Sequence, residues 1–439
     1  MTSRVRLGIA AVASPLEVGA GEAPALQERL RAAFASLAPQ QLEAVPAPRA
    51  AVDPDSAAAA GRFFYEQRVD AICLVAASWF EDYLALDLLE ECNAPTILWA
   101  RPGMETGSLC GMQQLGYMLK ALGQPYILLF AEPGAPVALQ RTWDYAQAAA
   151  LKRLLRRARL GMLGHRVEGM TETTGHELAL KKVFGPRIVG IDAPLFLERA
   201  RGVAPKAVQG RWEELKGQVG QVKVPAEVGI ESLQVYTALR QVVEEGGLSA
   251  VAVGCYPHLM GKVCLAASLL GEAGTPVACE GDINGALGML MLTRLTGQPV
   301  HNTDLLDPIP EHNSIVLSHC GSGAFSLACS PQEITLGPVR LMDRGLCCLF
   351  TAKPGPCTLV NLVPTLAGYR LGVLYGQAIP TTMIFPGNPL EVRFEADHHE
   401  ILEWIVANGL GHHWMAAYGD LRAPLAHLSD MVGCEIVSR

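Results

Sequence analysis

Four clusters of acid and imidazole in this chain stand where side chains can do chemistry. Glu280 lies in the run from Val277 to Ala286, between a short apolar stretch and a helical one. Asp304 follows in a second extended run from Pro299. His319 closes the apolar segment Asn313 to His319, and the pair His412-His413 opens a segment near the C-terminus. Two carboxylates with one or two imidazoles make an oxygen and nitrogen donor set suited to Mn²⁺ or a similar divalent cation. No set of thiolates accompanies them, which argues against structural zinc. Each residue also has an ordinary reading. Glu280 fits a helix-dipole partner, Asp304 a turn or N-cap, and His319 a hydrogen-bonded core imidazole. Alternation along a strand would turn only one of His412 and His413 inward.

The surrounding pattern shows how such residues are held. The apolar run Leu248 to Gly254 reads as a buried strand, and Thr275 to Cys279 as the next one. Ile283 to Leu295 repeats apolar residues at helical spacing, with Gly297 as its C-cap. At the C-terminal ends of parallel strands, α/β proteins commonly host ligands. Further upstream, Val5 to Val12 (within a first-strand reading that begins at Met1), Ala71 to Ala76, Pro95 to Trp99 and Pro125 to Phe130 alternate with helical stretches. That alternation predicts a parallel, doubly wound sheet. The segment Ala44 to Ala60, rich in Ala and Pro, reads as the loosest part. A helix from about Pro136 to Arg157 leads into a second α/β unit. From about Ser330, short apolar runs between Pro and Gly turns predict a small β-barrel or sandwich.

The predicted fold class is therefore α/β: two doubly wound α/β domains followed by a small β-barrel-like C-terminal domain. The expected boundaries are 1–150 for a flavodoxin-like domain, 151–329 for the domain carrying the carboxylates, and 330–439 for the β-rich domain carrying His412-His413. With 439 residues, half of them hydrophobic, the chain can bury several cores. Its 35 basic and 43 acidic residues give a net charge of −8 without basic clustering, so no nucleic-acid footprint is expected. No apolar run has the length and purity of a membrane span. The 12 cysteines show no CxxC pair and many sit in apolar runs, which points to a reducing cytoplasm. Asp397 to Glu400 looks metal-like but reads as a helix N-cap with its capping-box partner.

Taken together and in order, these motifs resemble the L-fucose isomerase/L-arabinose isomerase superfamily of metal-dependent aldose–ketose isomerases. The resemblance runs from Leu109 to Gly116, through Arg159 to Met170, Cys279 to Leu287, Pro299 to Asp304, Val316 to Gly321 and Lys353 to Thr358, to Gly411 to Asp420. It implies that Glu280 and Asp304 bind a divalent cation, Mn²⁺ or similar, and act as the catalytic pair. It places the C-terminal metal histidine on the His412-His413 pair, with His413 preferred. His319 matches a site histidine that is a metal ligand in one branch and lies near the metal, toward the substrate, in others. It further implies a homo-oligomer, a trimer or hexamer, in which the N-terminal domain closes a neighbour's pocket. Trp79 and Gln114 are the candidate sugar contacts there. One departure concerns the substrate: Cys255-Tyr256-Pro257-His258 stands where many relatives have a Cys-Trp-Pro-Glu-like run. His258 is thus a further candidate substrate contact, and the sugar stays open.

The function expected from this resemblance is interconversion of an aldose and a ketose through a cis-enediol(ate), on a monosaccharide or a modified monosaccharide. An aldolase- or epimerase-like reaction on a sugar or sugar acid is one alternative. A sugar-binding sensor without catalysis is the other. His258, Lys262, Arg344 and Lys353 either meet an acidic substituent or are simply solvated.

Overall fold

A computed structural model describes residues 4–384 and 386–439; the opening residues 1–3 of the first-strand reading lie outside the described residues. The chain divides into two compact units, Met1–Leu154 with Ala423–Val432, and Leu155–Arg422 with Gly433–Arg439. The protein is α/β, with parallel sheets in both units.

In the first unit, β1 (Val5–Val12), β2 (Leu42–Pro46), β3 (Ala71–Ala76), β4 (Thr96–Ala100) and β5 (Tyr126–Phe130) form one parallel sheet. The strand order is β2-β1-β3-β4-β5, which is the flavodoxin-like order. All six residues of β3 are buried, as a central strand covered on both faces requires. The stretch expected to be loose, Ala44 to Ala60, is ordered instead. It holds the end of β2 and the start of the helix Pro54–Glu66. Asp53 caps that helix by accepting from the Ser56 N–H, while the Ser56 hydroxyl accepts from the Asp53 N–H. Alanine richness hid a helix whose start was written in its cap. The helix Arg422–Val432 groups largely with this unit, although it lies in the range expected for the C-terminal domain.

The second unit begins with β6 (Arg159–Leu163) and β7 (Arg187–Ile191) and continues with β8 (Gln221–Val222), β9 (Ala250–Val253) and β10 (Val277–Ala278). Of these, β10-β9-β6-β7 form a four-stranded parallel sheet. Seven later strands build a second, mostly antiparallel sheet: β11 (His301–Ile309), β12 (Ser314–Ser318), β15 (Gly355–Pro364), β16 (Tyr369–Ile379), β17 (Leu390–Arg393), β18 (His413–Tyr418) and β19 (Glu435–Ser438). Their order is β15-β18-β11-β12-β17-β16-β19, and β15 also pairs with β16, so the first six close on one another. Between them in sequence, β13 (Thr335–Val339) and β14 (Arg344–Leu349) pair, and β13 takes β8 on its other edge.

Sheet pairing crosses the boundary expected at residue 330. β11 and β12, which include Asp304, pair with β18 and β17 and belong to the antiparallel sheet. The sequence signal missed is the change from helix-separated strands to strands joined by a short turn, which already occurs at Pro310–His312.

The helix Ile283–Thr296 joins the two sheets of this unit. It packs on β9 and β10 on one side and on β15 and β18 on the other, and nearly every residue in it is buried. Leu287, Leu290 and Met291 are completely covered; each such side chain contributes about 1.5–3 kcal/mol by its removal from water. Gly285 permits the close approach to β18, since a Cβ there would lie 2.6 Å from Met415 Cε and 2.5 Å from Asp282 Oδ2.

Candidate metal centre

Glu280 follows β10 in a left-handed backbone conformation, φ 60°, with Gly281 beside it at φ 70°. Such a conformation costs a non-glycine residue of the order of 1–2 kcal/mol. Bonds on all sides hold it. The Glu280 N–H donates to Cys255 Sγ at 3.4 Å, and the Glu280 carbonyl accepts from the Val167 N–H at 3.2 Å. The Gly281 N–H donates to the Val253 carbonyl at 2.8 Å. Gly281 is required because a Cβ would meet Arg166 Cα and the His165 carbonyl at 2.7 Å. The helix-capping role open to Glu280 is filled by Asp282, which accepts from the Gly285 N–H at 2.8 Å. The Glu280 carboxylate is left free to turn toward the antiparallel sheet.

Asp304 and His413 meet because β11 and β18 place them directly opposite each other, and opposed residues share one face of a sheet. His413 is buried and bonded at both nitrogens: Nδ1 to Asp282 Oδ2 at 2.9 Å and Nε2 to Glu280 Oε2 at 3.0 Å. Asp304 Oδ1 lies 3.5 Å from His413 Nε2 and 3.7 Å from His319 Nε2. His412 precedes the strand, so strand alternation does not govern it, and both histidines reach the site. Ligand atoms of Glu280, Asp304, His412 and His413 all lie within 4.8 Å of one another.

His319 directly follows Ser318, the residue paired with Asp304. It borders this group of four without being one of it. Neither ring nitrogen of this buried histidine has a hydrogen-bond partner, nor does Asp304 Oδ1. Buried polar atoms are rarely left so. Carboxylates and imidazoles with idle lone pairs at close quarters fit a divalent cation of oxygen and nitrogen preference.

The electrostatics fit as well. Burial opposes ionisation of Glu280, but the His413 hydrogen bond and the charges of His319, His413 and His412 outweigh it and hold the carboxyl below its usual range. Burial disfavours the charged form of His413, yet the hydrogen bonds it donates to Asp282 and Glu280 and the charges of Asp282 and Asp304 lift it to about 10. His319 is likewise raised well above the ordinary value, against burial, by the charge of Asp304, by the neighbouring Cys320 and by the charge of Glu280. Without a cation, protons supply the positive charge that these carboxylates demand.

Several residues of the site carried no individual reading in the sequence. Asp282 was visible only as part of a motif, although its place three residues before Gly285 is an N-cap signal. Glu172 Oε1 lies 2.7 Å from His412 Nδ1 across 240 residues, and no local pattern predicts that pairing. Asn284, fully buried, donates from Nδ2 to the carbonyls of Glu172 and Thr174. A cavity of about 80 Å³ adjoins Glu280 and His319, walled by Tyr256, Cys320 and Leu341 among others. His258 is exposed and does not line it. Trp79 and Gln114 belong to the first unit, where Trp79 Nε1 donates to Gln114 Oε1 at 3.2 Å.

Comparison with known proteins places this geometry in context. No protein-family model matches the chain. It is 25% identical over 379 residues to a sulfoquinovose isomerase of Alkalicoccus urumqiensis, covering 84% of this chain and 86% of that protein. A sulfoquinovose isomerase of Priestia aryabhattai is 24% identical over 379 residues, covering 84% and 85%. One of Clostridium sp. (strain MSTE9) is 25% identical over 358 residues, covering 78% and 80%. Among solved structures, the periplasmic binding protein component of the arabinose ABC transporter from Shewanella sp. ANA-3 aligns at 12% identity over 56% of this chain and 73% of that chain. Its TM-score of 0.17 is too low to carry an argument. Among the described residues, no helix is long and apolar enough to cross a membrane.

Proposed function

We propose that this chain is a metal-dependent aldose–ketose isomerase acting through a cis-enediol(ate). The enzyme class, a sugar isomerase, rests on relatedness to curated sugar isomerases over 84% of the chain. The observation that carries the metal-dependent reading is the convergence of Glu280, Asp304, His412 and His413 within 4.8 Å. The curated relatives make sulfoquinovose, an aldohexose carrying a sulfonate, the first substrate to test. The assembly proposed with this function is a homo-oligomer, a trimer or hexamer.

Glu280, Asp304, His412 and His413 would hold the cation, with His319 at its margin. When bound, it would act as a Lewis acid toward the two adjacent sugar oxygens and offset the charge that develops there. The remaining chemistry belongs to the side chains. One carboxylate, Glu280 in this reading, takes the proton from C2 of the aldose and returns it to C1. The other, Asp304, moves the hydroxyl proton from O2 to O1, and the roles reverse from the ketose side. Asp282 fixes the tautomer and plane of His413 by holding Nδ1, as carboxylates behind metal-binding histidines commonly do. The hydrogen bond from His413 Nε2 holds the Glu280 carboxylate in place, which is the positioning such proton transfers require.

The test is isomerisation in D₂O by the protein stripped with chelator and reloaded with Mn²⁺. Sulfoquinovose and unmodified aldohexoses are offered in parallel. A ketose of unchanged carbon count with deuterium at C1, formed only after metal is restored, is the expected result. Cleavage to shorter fragments would point to the aldolase-like alternative. Tight sugar binding without turnover would point to a sensor.

A further inference from the structure

His413 is oriented by Asp282, and a second, separate relay serves His412. Its Nδ1 lies 2.7 Å from Glu172 Oε1, a pairing across 240 residues. Both partners are partly exposed, with side-chain exposures of 40% for His412 and 34% for Glu172. An ion pair as open as that is ordinarily loose and contributes little. This one is fixed from behind. Asn284, with no exposed surface, donates from Nδ2 to the Glu172 carbonyl at 3.1 Å and to the Thr174 carbonyl at 3.2 Å. The turn Thr171–Thr173 is thereby strapped to the first turn of the helix Ile283–Thr296.

Two glycines show how closely the strap is drawn. A Cβ on Gly175 would lie 2.3 Å from Ile283 Cγ2. A Cβ on Gly411, next to His412, would lie 3.0 Å from Glu172 Cγ. The start of one helix thus places both imidazoles: Asp282 reaches His413 directly, and Asn284 reaches His412 through Glu172.

We infer that Glu172, held by Asn284, is a positioning residue that presents the free nitrogen of His412 to the cation site. With Nδ1 engaged by Glu172, Nε2 is the nitrogen left for the site. The arrangement repeats for His412 what Asp282 does for His413, and it makes His412 a pre-oriented donor instead of a swinging surface side chain. The inference rests on the metal-dependent reading above and extends it to residues outside the cation's own contacts.

The experiment titrates Mn²⁺ into chelator-stripped full-length protein by calorimetry, for wild type, Glu172→Ala, Glu172→Gln and Asn284→Ala. Outer carboxylates of this kind commonly change metal affinity by about 10- to 100-fold. Glu172→Ala is expected to weaken Mn²⁺ binding within that range while the melting temperature of the stripped protein stays near wild type. Glu172→Gln, which keeps an acceptor oxygen for Nδ1, is expected to recover most of the loss. Asn284→Ala is expected to weaken Mn²⁺ binding in the same direction. The Mn²⁺ electron paramagnetic resonance spectrum should change in Glu172→Ala, a readout that a general loss of stability would not move. Wild-type Mn²⁺ binding with Glu172→Ala inside twofold of it overturns this inference alone. Absence of Mn²⁺ binding by wild type overturns it together with the metal-dependent reading.

Discussion

Replacing Asp282 by Asn separates two tasks that this residue performs. One oxygen caps the helix by accepting from the Gly285 N–H, and the other holds His413 Nδ1 at 2.9 Å. Asn is as good an N-cap as Asp, whereas Ala forfeits about 1 kcal/mol. The cap therefore survives in Asp282→Asn, and the change falls on His413. In wild type without metal, His413 holds its proton to about pH 10, and Asp282 is the strongest of the groups that keep it there. A cation must displace that proton. Apparent Mn²⁺ affinity should consequently rise about tenfold per pH unit below pH 10, one proton being released at this site. The raised value also means that metal-free protein enjoys a stabilisation below pH 6.5 that fades as pH climbs toward 10. In Asp282→Asn the imidazole loses its orienting charge, which lowers intrinsic affinity by about 10- to 100-fold. It also loses part of its hold on the proton, so competition weakens. The two effects oppose each other at low pH. The deficit should be largest near pH 9 and shrink toward pH 6. Calorimetric Mn²⁺ titrations at several pH values read this directly, with thermal melting of the stripped protein as a control for folding. A deficit of the same size at pH 6 and pH 9, or none at either, would refute the coupling argued here.

Three further outcomes follow from particular contacts. His301, completely buried with Nδ1 unpartnered, titrates near 3 instead of 6.5 because burial, assisted by Lys353, disfavours its cation. A depressed value gives stability that is complete above pH 6.5 and lost as pH falls toward 3, at most roughly 5 kcal/mol; melting curves across that window should flatten in His301→Asn. Gly281→Ala should destabilise the fold by about 1–3 kcal/mol through left-handed strain, with added clash against Arg166 and His165, and should abolish Mn²⁺ binding by displacing Glu280. Its unfolding curve and a calorimetric titration check both. Finally, Mn²⁺ at a hundredfold excess over its dissociation constant should stabilise wild type by about 2.7 kcal/mol, visible as a higher melting temperature that chelator reverses.

Strands such as β3 and β9, apolar over their whole length, were legible because a buried parallel strand needs no partner to declare itself. The four members of the candidate centre were also legible, but for a different reason: each sits within a recognisable motif, Glu280 just after a strand and His413 at the start of one. β2 and the helix Pro54–Glu66 were missed where Ala and Pro flattened the apolar pattern. The pairing of β11 was not legible because sheet membership is decided across the chain, and β11 finds a partner more than a hundred residues away in β18, as the Asp304 and His413 register shows. Glu172 and Asn284 were beyond reach for the same reason. Their roles exist only once the turn Thr171–Thr173 lies against the helix Ile283–Thr296.

That pairing across layers has a mechanical consequence. Glu280 and Asp282 come from the parallel sheet and its helix, whereas Asp304, His412 and His413 come from the antiparallel sheet. The helix Ile283–Thr296 packs on both, buried on either side and brought close to β18 by Gly285. A cation held by donors of both origins would act as a cross-link between the two sheets, and a cross-link suppresses the openings that separate what it joins. Binding of Mn²⁺ should therefore slow amide exchange in β10 and in β18 together, and in the buried helix between them, while β1 to β5 of the first unit exchange as before. Protection confined to one sheet would mean that the ion is held by one layer alone, and the convergence of Glu280 with His413 would then have to be explained by their hydrogen bond without it.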